Sequence, residues 1–324
     1  MPAGREGRRS RSGGRQFERQ GKDRSGAILV LAGLFLILAS LVFSGPDTGE
    51  SAEGIRGNGE GGLAEEPVWK EQAGRQKDNP QLSGCLRIAG SSSMERYVSA
   101  LAEGFMENYP DVDVTVQFTG SSAGIAAVTG GSADIGLSSR DLTEEEREQG
   151  AVENLAGLDG IAVCANPANG VGGLTGNQLA GIYTGGISNW QELGGNDMPI
   201  VVIGREAGSG TRDAFERFLE ADVPCAYANE LDSTGAVLAR ILSTPGAVGY
   251  VSLEAAERVK SGLTILLLDG VEPSMETVEA GSYPLYHPLF MVTRGETALS
   301  GPLVREWFAY IYGEEGRAIR TLLF

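Results

Sequence analysis

Gly90-Ser91-Ser92-Ser93, Gly120-Ser121-Ser122, Ser138-Ser139-Arg140, and Arg205 followed by Ser209-Gly210-Thr211 form four runs rich in hydroxyls or glycine. Each falls where an apolar, strand-like stretch gives way to a helical pattern. The first turn of a helix leaves backbone N–H groups without partners and carries the positive end of the helix dipole, so a small dense anion finds donors there without a lysine. One such turn is commonplace. Four built on one grammar predict convergence on a single tetrahedral oxyanion. Arg205 adds a charged clamp, because a guanidinium grips two anion oxygens through paired hydrogen bonds.

Other chemistries compete for the same residues. Gly120-Ser121-Ser122-Ala123-Gly124 satisfies the G-x-S-x-G pattern of a hydrolase elbow with Ser122 as nucleophile. That reading needs a base, and the one histidine of the chain, His287, sits between Tyr286 and Pro288 in a strand-like stretch, where a structural role is the simpler expectation. It would also leave the other three hydroxyl runs unexplained. A metal phosphatase needs clustered His, Asp and Glu ligands, which one histidine does not supply. The Gly204-x-x-x-Gly208-x-Gly210 spacing lacks the Gly-Lys-Ser/Thr ending of a nucleotide loop. The expected protein is therefore a binder without enzymatic activity, cofactor or metal.

Elements that would position these residues are legible in the periodicities. Leu86 to Ala89 predicts a buried strand, after which Ser92 or Ser93 caps a helix with Tyr97, Val98, Leu101, Phe105 and Met106 on one face and Pro110 ending it. Val112, Val114, Val116 and Phe118 alternate as a second strand before the Gly120 turn and a helix with Ile125 and Val128. A third strand at 133–137 precedes Ser138-Ser139-Arg140, and Thr143 with Glu144-Glu145-Glu146 opens another helix. A second segment offers strands at 161–165 and 200–203, the latter running into Arg205 and a helix bearing Phe215, Phe218 and Leu219. Alternating strands and helices predict α/β layers, with ligands at the carboxyl ends of mainly parallel strands.

At these residues the sequence resembles the phosphate-binding proteins of bacterial ABC importers, the PstS family within the two-lobed periplasmic-binding-protein superfamily, type II. The resemblance covers about 86–324. Besides the hydroxyl runs it is carried by Leu174-Thr175-Gly176-Asn177-Gln178-Leu179, Ile182-Tyr183-Thr184-Gly185, Asn189-Trp190-Gln191-Glu192-Leu193-Gly194-Gly195, Gly246-Ala247-Val248-Gly249-Tyr250 and Tyr283-Pro284-Leu285-Tyr286. It implies two lobes, 81–162 plus 286–324 and 163–285, joined by two hinge crossings near 158–165 and 285–292. The implied phosphate ligands are Ser92, Ser93, Ser121 and Ser139 from one lobe, and Arg205, Ser209, Gly210 and Thr211 from the other. Ser91, Ser122 and Arg140 form a second tier that could instead pack, cap or pair. Where the family often has an acceptor aspartate after the third strand, this chain has Ser139 followed by Arg140. Either Ser139 or a neighbour such as Asp141 must then accept the phosphate proton that distinguishes the ion from sulfate. Phosphate is the expected ligand, a binding or sensor protein for another tetrahedral oxyanion such as sulfate the alternative, and the implied partners are the transmembrane permease subunits of an ABC importer.

Charge and the amino terminus set the compartment. Eight Lys/Arg oppose three Asp/Glu through Gly45, leaving 18 against 40 and a net −22 beyond it, so nucleic acid is not an expected partner. Screening over about 8 Å at physiological salt lets contact donors outweigh that acidic surface. Residues 1–26 are a basic flank, 27–44 an apolar run suited to a signal peptide or membrane anchor, and 45–80 a polar, Gly- and Glu-rich spacer predicted to be disordered. The folded part is thus expected outside the cytoplasm, secreted or membrane-associated. Leu82-Ser83-Gly84-Cys85 is similar to a lipobox but stands far from the apolar run. Cys85, Cys164 and Cys225 are odd in number, lack metal-ligand spacing and are expected to be buried small apolar residues.

Overall fold

A computed structural model describes residues 82–324. The basic flank, the apolar run and the spacer of 1–80 lie outside the described residues. Among the described residues no helix is long and apolar enough to cross a membrane.

Strand β1 (Gly84–Gly90) leads through a 3-10 turn at Ser92–Met94 into α1 (Glu95–Asn108), and β2 (Val112–Phe118) leads into α2 (Ser121–Thr129). Then come β3 (Ile135–Ser138), α3 (Glu144–Glu148) and the 15-residue β4 (Ala151–Ala165). The second segment contains β5 (Gly173–Leu174), α4 (Gly176–Tyr183), β6 (Val201–Arg205), α5 (Gly210–Leu219), β7 (Asn229–Leu231), α6 (Thr234–Ser243), β8 (Ala247–Ser252) and α7 (Leu253–Arg258). It closes with β9 (Thr264–Ile265), β10 (Leu267–Leu268), α8 (Met275–Glu279), β11 (Tyr286–Arg294), α9 (Pro302–Tyr312) and α10 (Glu314–Leu323).

The main sheet runs β2-β1-β3-β11-β4-β8-β6-β7, with β9 added to β4. Its outer pairs, β1 with β2 and β3, and β6 with β7 and β8, are parallel. The long strand β4 runs antiparallel to β11 over Ala151–Gly160, then changes partner and runs antiparallel to β8 from Ile161 to Ala165. One strand therefore serves both halves of the sheet, and β11 returns beside it. Each half has its own apolar core. One packs Leu86, Ile88, Val98, Leu101 and Phe105 against Trp307 and Phe308 of α9, the other Ile161, Val163, Ile182, Tyr183 and Trp190 against Phe215 and Tyr250. The Phe105 and Trp307 rings meet edge to face at 5.3 Å and the Phe215 and Tyr250 rings stack at 3.9 Å, geometries that add about 0.5–1.5 kcal/mol to area burial.

Three expectations change. The first long helix starts at Glu95, and neither Ser92 nor Ser93 caps it with a side chain; both sit in the preceding 3-10 turn, which leaves their hydroxyls free for other partners. The strand beginning at Ile161 is the end of β4. Of the cysteines only Cys164 is buried, whereas Cys225 is half-buried and Cys85 is exposed on β1 beside Asp113 and Thr115. Thr143 does open a helix with a capping box, closed by the Glu146 side chain.

Where β4 and β11 run together, Asp159 and His287 face each other as cross-strand partners, both fully buried, with Oδ2 and Nε2 3.7 Å apart. Burial pushes the Asp159 carboxyl up from its ordinary value, with the imidazole opposing that shift. An acid whose folded-state pKa is raised contributes stability below its unfolded pKa and loses it as pH rises through the folded value. Asp159→Asn should therefore gain melting temperature relative to wild type between pH 4 and pH 7, a slope that thermal denaturation across this range reads directly.

Candidate functional site

Four helix starts meet at one place between the halves. The Ser92–Met94 turn before α1 and the start of α2 at Ser121 belong to the first half, while α5 at Gly210 and α6 at Thr234 belong to the second. Each follows a strand, so the sheet twist delivers their N–H ends to a common edge. Gly120, at φ +90, makes the sharp entry into α2, a conformation an L-residue with a side chain resists.

Four of the predicted residues, Ser91, Ser93, Ser121 and Ser139, join one hydroxyl network, while Ser92 bonds separately to Thr234. The Ser91 hydroxyl lies 2.9 Å from that of Ser93 and 2.8 Å from that of Ser139, and Ser139 lies 3.3 Å from Ser121. Ser121 Oγ also accepts the Ser139 N–H at 3.1 Å and, from the opposite half, the Gly210 N–H at 3.2 Å. With two amides on its oxygen, Ser121 is left to donate its O–H proton to Ser139 Oγ. Ser92 Oγ crosses the same gap and accepts the Thr234 N–H at 3.1 Å. The Ser122 N–H donates to the Gly208 carbonyl at 3.0 Å. Ser91, Ser92, Ser93, Ser121, Ser139, Arg205, Ser209 and Thr211 are all buried, and the Thr211 hydroxyl has no hydrogen-bond partner in this structure.

Arg205 is 2 % exposed and held on every side. Its Nε and Nη2 donate to Glu206 Oε2 and Oε1 at 2.9 Å each, and Nη1 reaches Thr234 Oγ1 at 3.3 Å. Its own N–H donates to the Tyr250 hydroxyl at 3.3 Å, a phenol that burial pushes well above its ordinary pKa and so keeps neutral. The clamp is thus a guanidinium whose charge is offset by a carboxylate, surrounded by neutral donors. Ser209 caps α5 by accepting the Arg212 N–H at 3.2 Å.

Second-tier residues divide differently. Ser91 joins the network. Ser122 Oγ instead accepts Arg140 Nη2 at 3.0 Å, and Arg140 grips Glu146 through two bonds of 2.7 and 2.8 Å, so both turn toward α3. The Glu146 carboxyl falls below its ordinary pKa beside that guanidinium. Ser122 therefore faces an arginine, and His287 is buried against Asp159, an arrangement that gives Ser122 no imidazole base. Asp141 does not enter the cage: its side chain is 56 % exposed and lies 3.5 Å from Arg217, leaving Ser139 as the polar group of that loop among the cage hydroxyls.

Thr234, Glu206 and Tyr250 were not singled out by sequence. Thr234 had a signal, since Asp232-Ser233-Thr234-Gly235 before α6 repeats the grammar of the other runs. Glu206 directly follows Arg205 and Tyr250 closes the Gly246–Tyr250 motif, but no local pattern shows that either side chain meets Arg205.

Known proteins supply an independent comparison. A model of the PBP superfamily domain matches residues 70–315. The phosphate-binding protein PstS of Bacillus subtilis is 34% identical over 287 residues, covering 87% of this chain and 88% of the relative. A putative phosphate ABC transporter substrate-binding protein from Clostridium perfringens, solved with bound phosphate, aligns with TM-score 0.69 and 36% identity over 74% of this chain and 97% of its own. An ABC-type phosphate transport receptor from Vibrio cholerae aligns with TM-score 0.60 and 30% identity, covering 74% and 98%.

Gly210 is a close contact between the halves, where an added Cβ would lie 2.6 Å from Ser121 Oγ and 2.7 Å from the Ser139 carbonyl carbon. Gly210→Ala should hold the halves apart while each keeps its own core. Small-angle scattering should show a larger radius of gyration than wild type with a melting temperature changed by only a few degrees.

Proposed function

Because the chain belongs to the PstS family of phosphate-binding proteins within the PBP superfamily, we propose that it is an extracytoplasmic receptor that closes two lobes around inorganic phosphate and delivers it to an ABC-type permease. The lobes are 81–160 with 286–324 and 161–285, two residues short of the expected 162 because β4 exchanges β11 for β8 after Gly160. Ser92, Ser93, Ser121 and Ser139 meet Arg205, Ser209, Gly210 and Thr211 around the ion, with Ser91 and Thr234 completing the wall. The observation that carries this reading is the set of direct bonds across the gap, Ser121 to Gly210 and Ser92 to Thr234, beside the buried and unpartnered hydroxyl of Thr211.

Burying a free oxyanion is costly unless its acceptor positions are filled, and a ring of hydroxyls and amides fills them without a surplus of positive charge. Release then needs only the lobes to part, since no strong unneutralised charge remains to hold the ion back. Hydroxyls also accept, which lets Ser139 accept a hydrogen bond from the O–H that phosphate retains and sulfate lacks. Ser122, bonded to Arg140, supports a binding role over a hydrolytic one. A basic flank and apolar run at 1–44 support placement of the folded part outside the cell membrane, and the phosphate-transport names of its relatives support a permease partner.

Titration calorimetry should give one phosphate bound per chain with sulfate at least tenfold weaker, and equal binding of sulfate would sink the phosphate assignment. Arg205→Ala removes charge-assisted bonds of about 1.5–3 kcal/mol each and strands Glu206, so phosphate affinity should fall by about 30- to 1,000-fold. Ser122→Ala should leave affinity within about threefold.

A further inference from the structure

We propose that Glu254 is a two-position latch between the halves: it engages Arg96 when the lobes are closed and falls back on Arg258 of its own helix when they open. This rests on the reading that closure traps an anion, but it concerns residues outside the cage. Arg96 stands on α1, directly after the turn carrying Ser92 and Ser93, and Glu254 stands on α7, directly after the strand that carries Tyr250. Arg96 Nη1 donates to Glu254 Oε1 at 2.8 Å, a bond joining residues 158 positions apart. The same oxygen lies 4.0 Å from Arg258 Nη1, one helical turn away.

Exposure makes the pair unequal. The Glu254 side chain is 7% exposed, whereas Arg96 and Arg258 are 46% and 50% exposed. A nearly buried carboxylate is held by a cation here, because stranding it costs far more than an exposed pair is worth. Arg96 withdraws with its own half on opening, and Arg258 is the cation that stays. Glu257 does not compete, being held by Lys260 at 2.6 Å. The other charged bridge, Asp141 to Arg217, is 3.5 Å long and more than half exposed on both sides, so it biases closure little. A cleft of about 490 Å³ lined by Arg96, Glu254, Arg258, Leu253, Met275 and Phe324 gives the carboxylate room to change partner and admits salt.

Two arginines competing for one carboxylate predict effects of opposite sign, which a simple structural role would not produce. In the full-length protein, Arg96→Met should weaken phosphate binding by roughly three- to tenfold through faster release, and more so at low salt, while Arg258→Met should slow release and tighten binding by roughly two- to threefold. In Glu254→Gln both effects should vanish, and a double-mutant cycle reads that coupling. Scattering on the ligand-free variants should show Arg96→Met more open than wild type and Arg258→Met no more open. Shifts of both arginine variants in the same direction, or unchanged release and scattering, would overturn the latch. A wild-type protein that binds no phosphate but shows these scattering differences would overturn the assigned ligand and leave the latch standing.

Discussion

Four helix starts are brought to one point, and like ends of helix dipoles do not gather without something negative to face. Each start carries roughly half a positive charge on unsatisfied N–H groups. Part of that field is spent internally: Ser121 Oγ takes the Gly210 amide and Ser92 Oγ takes the Thr234 amide. The rest of the architecture follows from this gathering. Parallel strands must end at the same edge, glycines must stand at Gly120 and Gly210, and hydroxyls must fill the gap because larger side chains would keep the halves apart.

The cage carries almost no net charge. Among the described residues Arg205 is the one buried cation bonded into it, and Glu206 covers two of its nitrogens. Such a site suits an acidic protein that must both hold and release an anion. A cluster of bare lysines and arginines would bind any anion and surrender it slowly, whereas oriented neutral dipoles act at contact and lose their grip as soon as the walls separate. The remaining arginines near the gap are occupied elsewhere, Arg140 by Glu146 and Arg217 by Asp213 and Asp141.

The seams join the halves as much as the cage does. β4 passes from one half to the other by changing its partner from β11 to β8 near Gly160, so the halves share a continuous strand while keeping separate cores. The buried Asp159–His287 pair lies on that passage, and the Arg96–Glu254 contact bridges the halves away from the cage. Polar groups at a seam give a closed arrangement definite geometry, where apolar contacts alone would let it slide.

The strand-turn-helix units, the α/β class and the hydroxyl runs were all legible in the sequence, because alternation, capping boxes such as Thr143 with Glu146 and glycines before helices are written within a few neighbouring residues. The same locality misplaced the cap at Ser92 and Ser93, whose hydroxyls bond to Thr234 and to Ser91 and not to the helix, and suggested Asp141 as an acceptor although it points to Arg217. Only the tertiary structure decided that Thr234 belongs to the cage, that Glu206 offsets Arg205, and that Ser122 and Arg140 turn toward α3. The physical reason is range: backbone conformation is set by side chains a turn or less away, whereas Ser92 and Thr234 are separated by 142 positions and meet only when two independently packed cores come together.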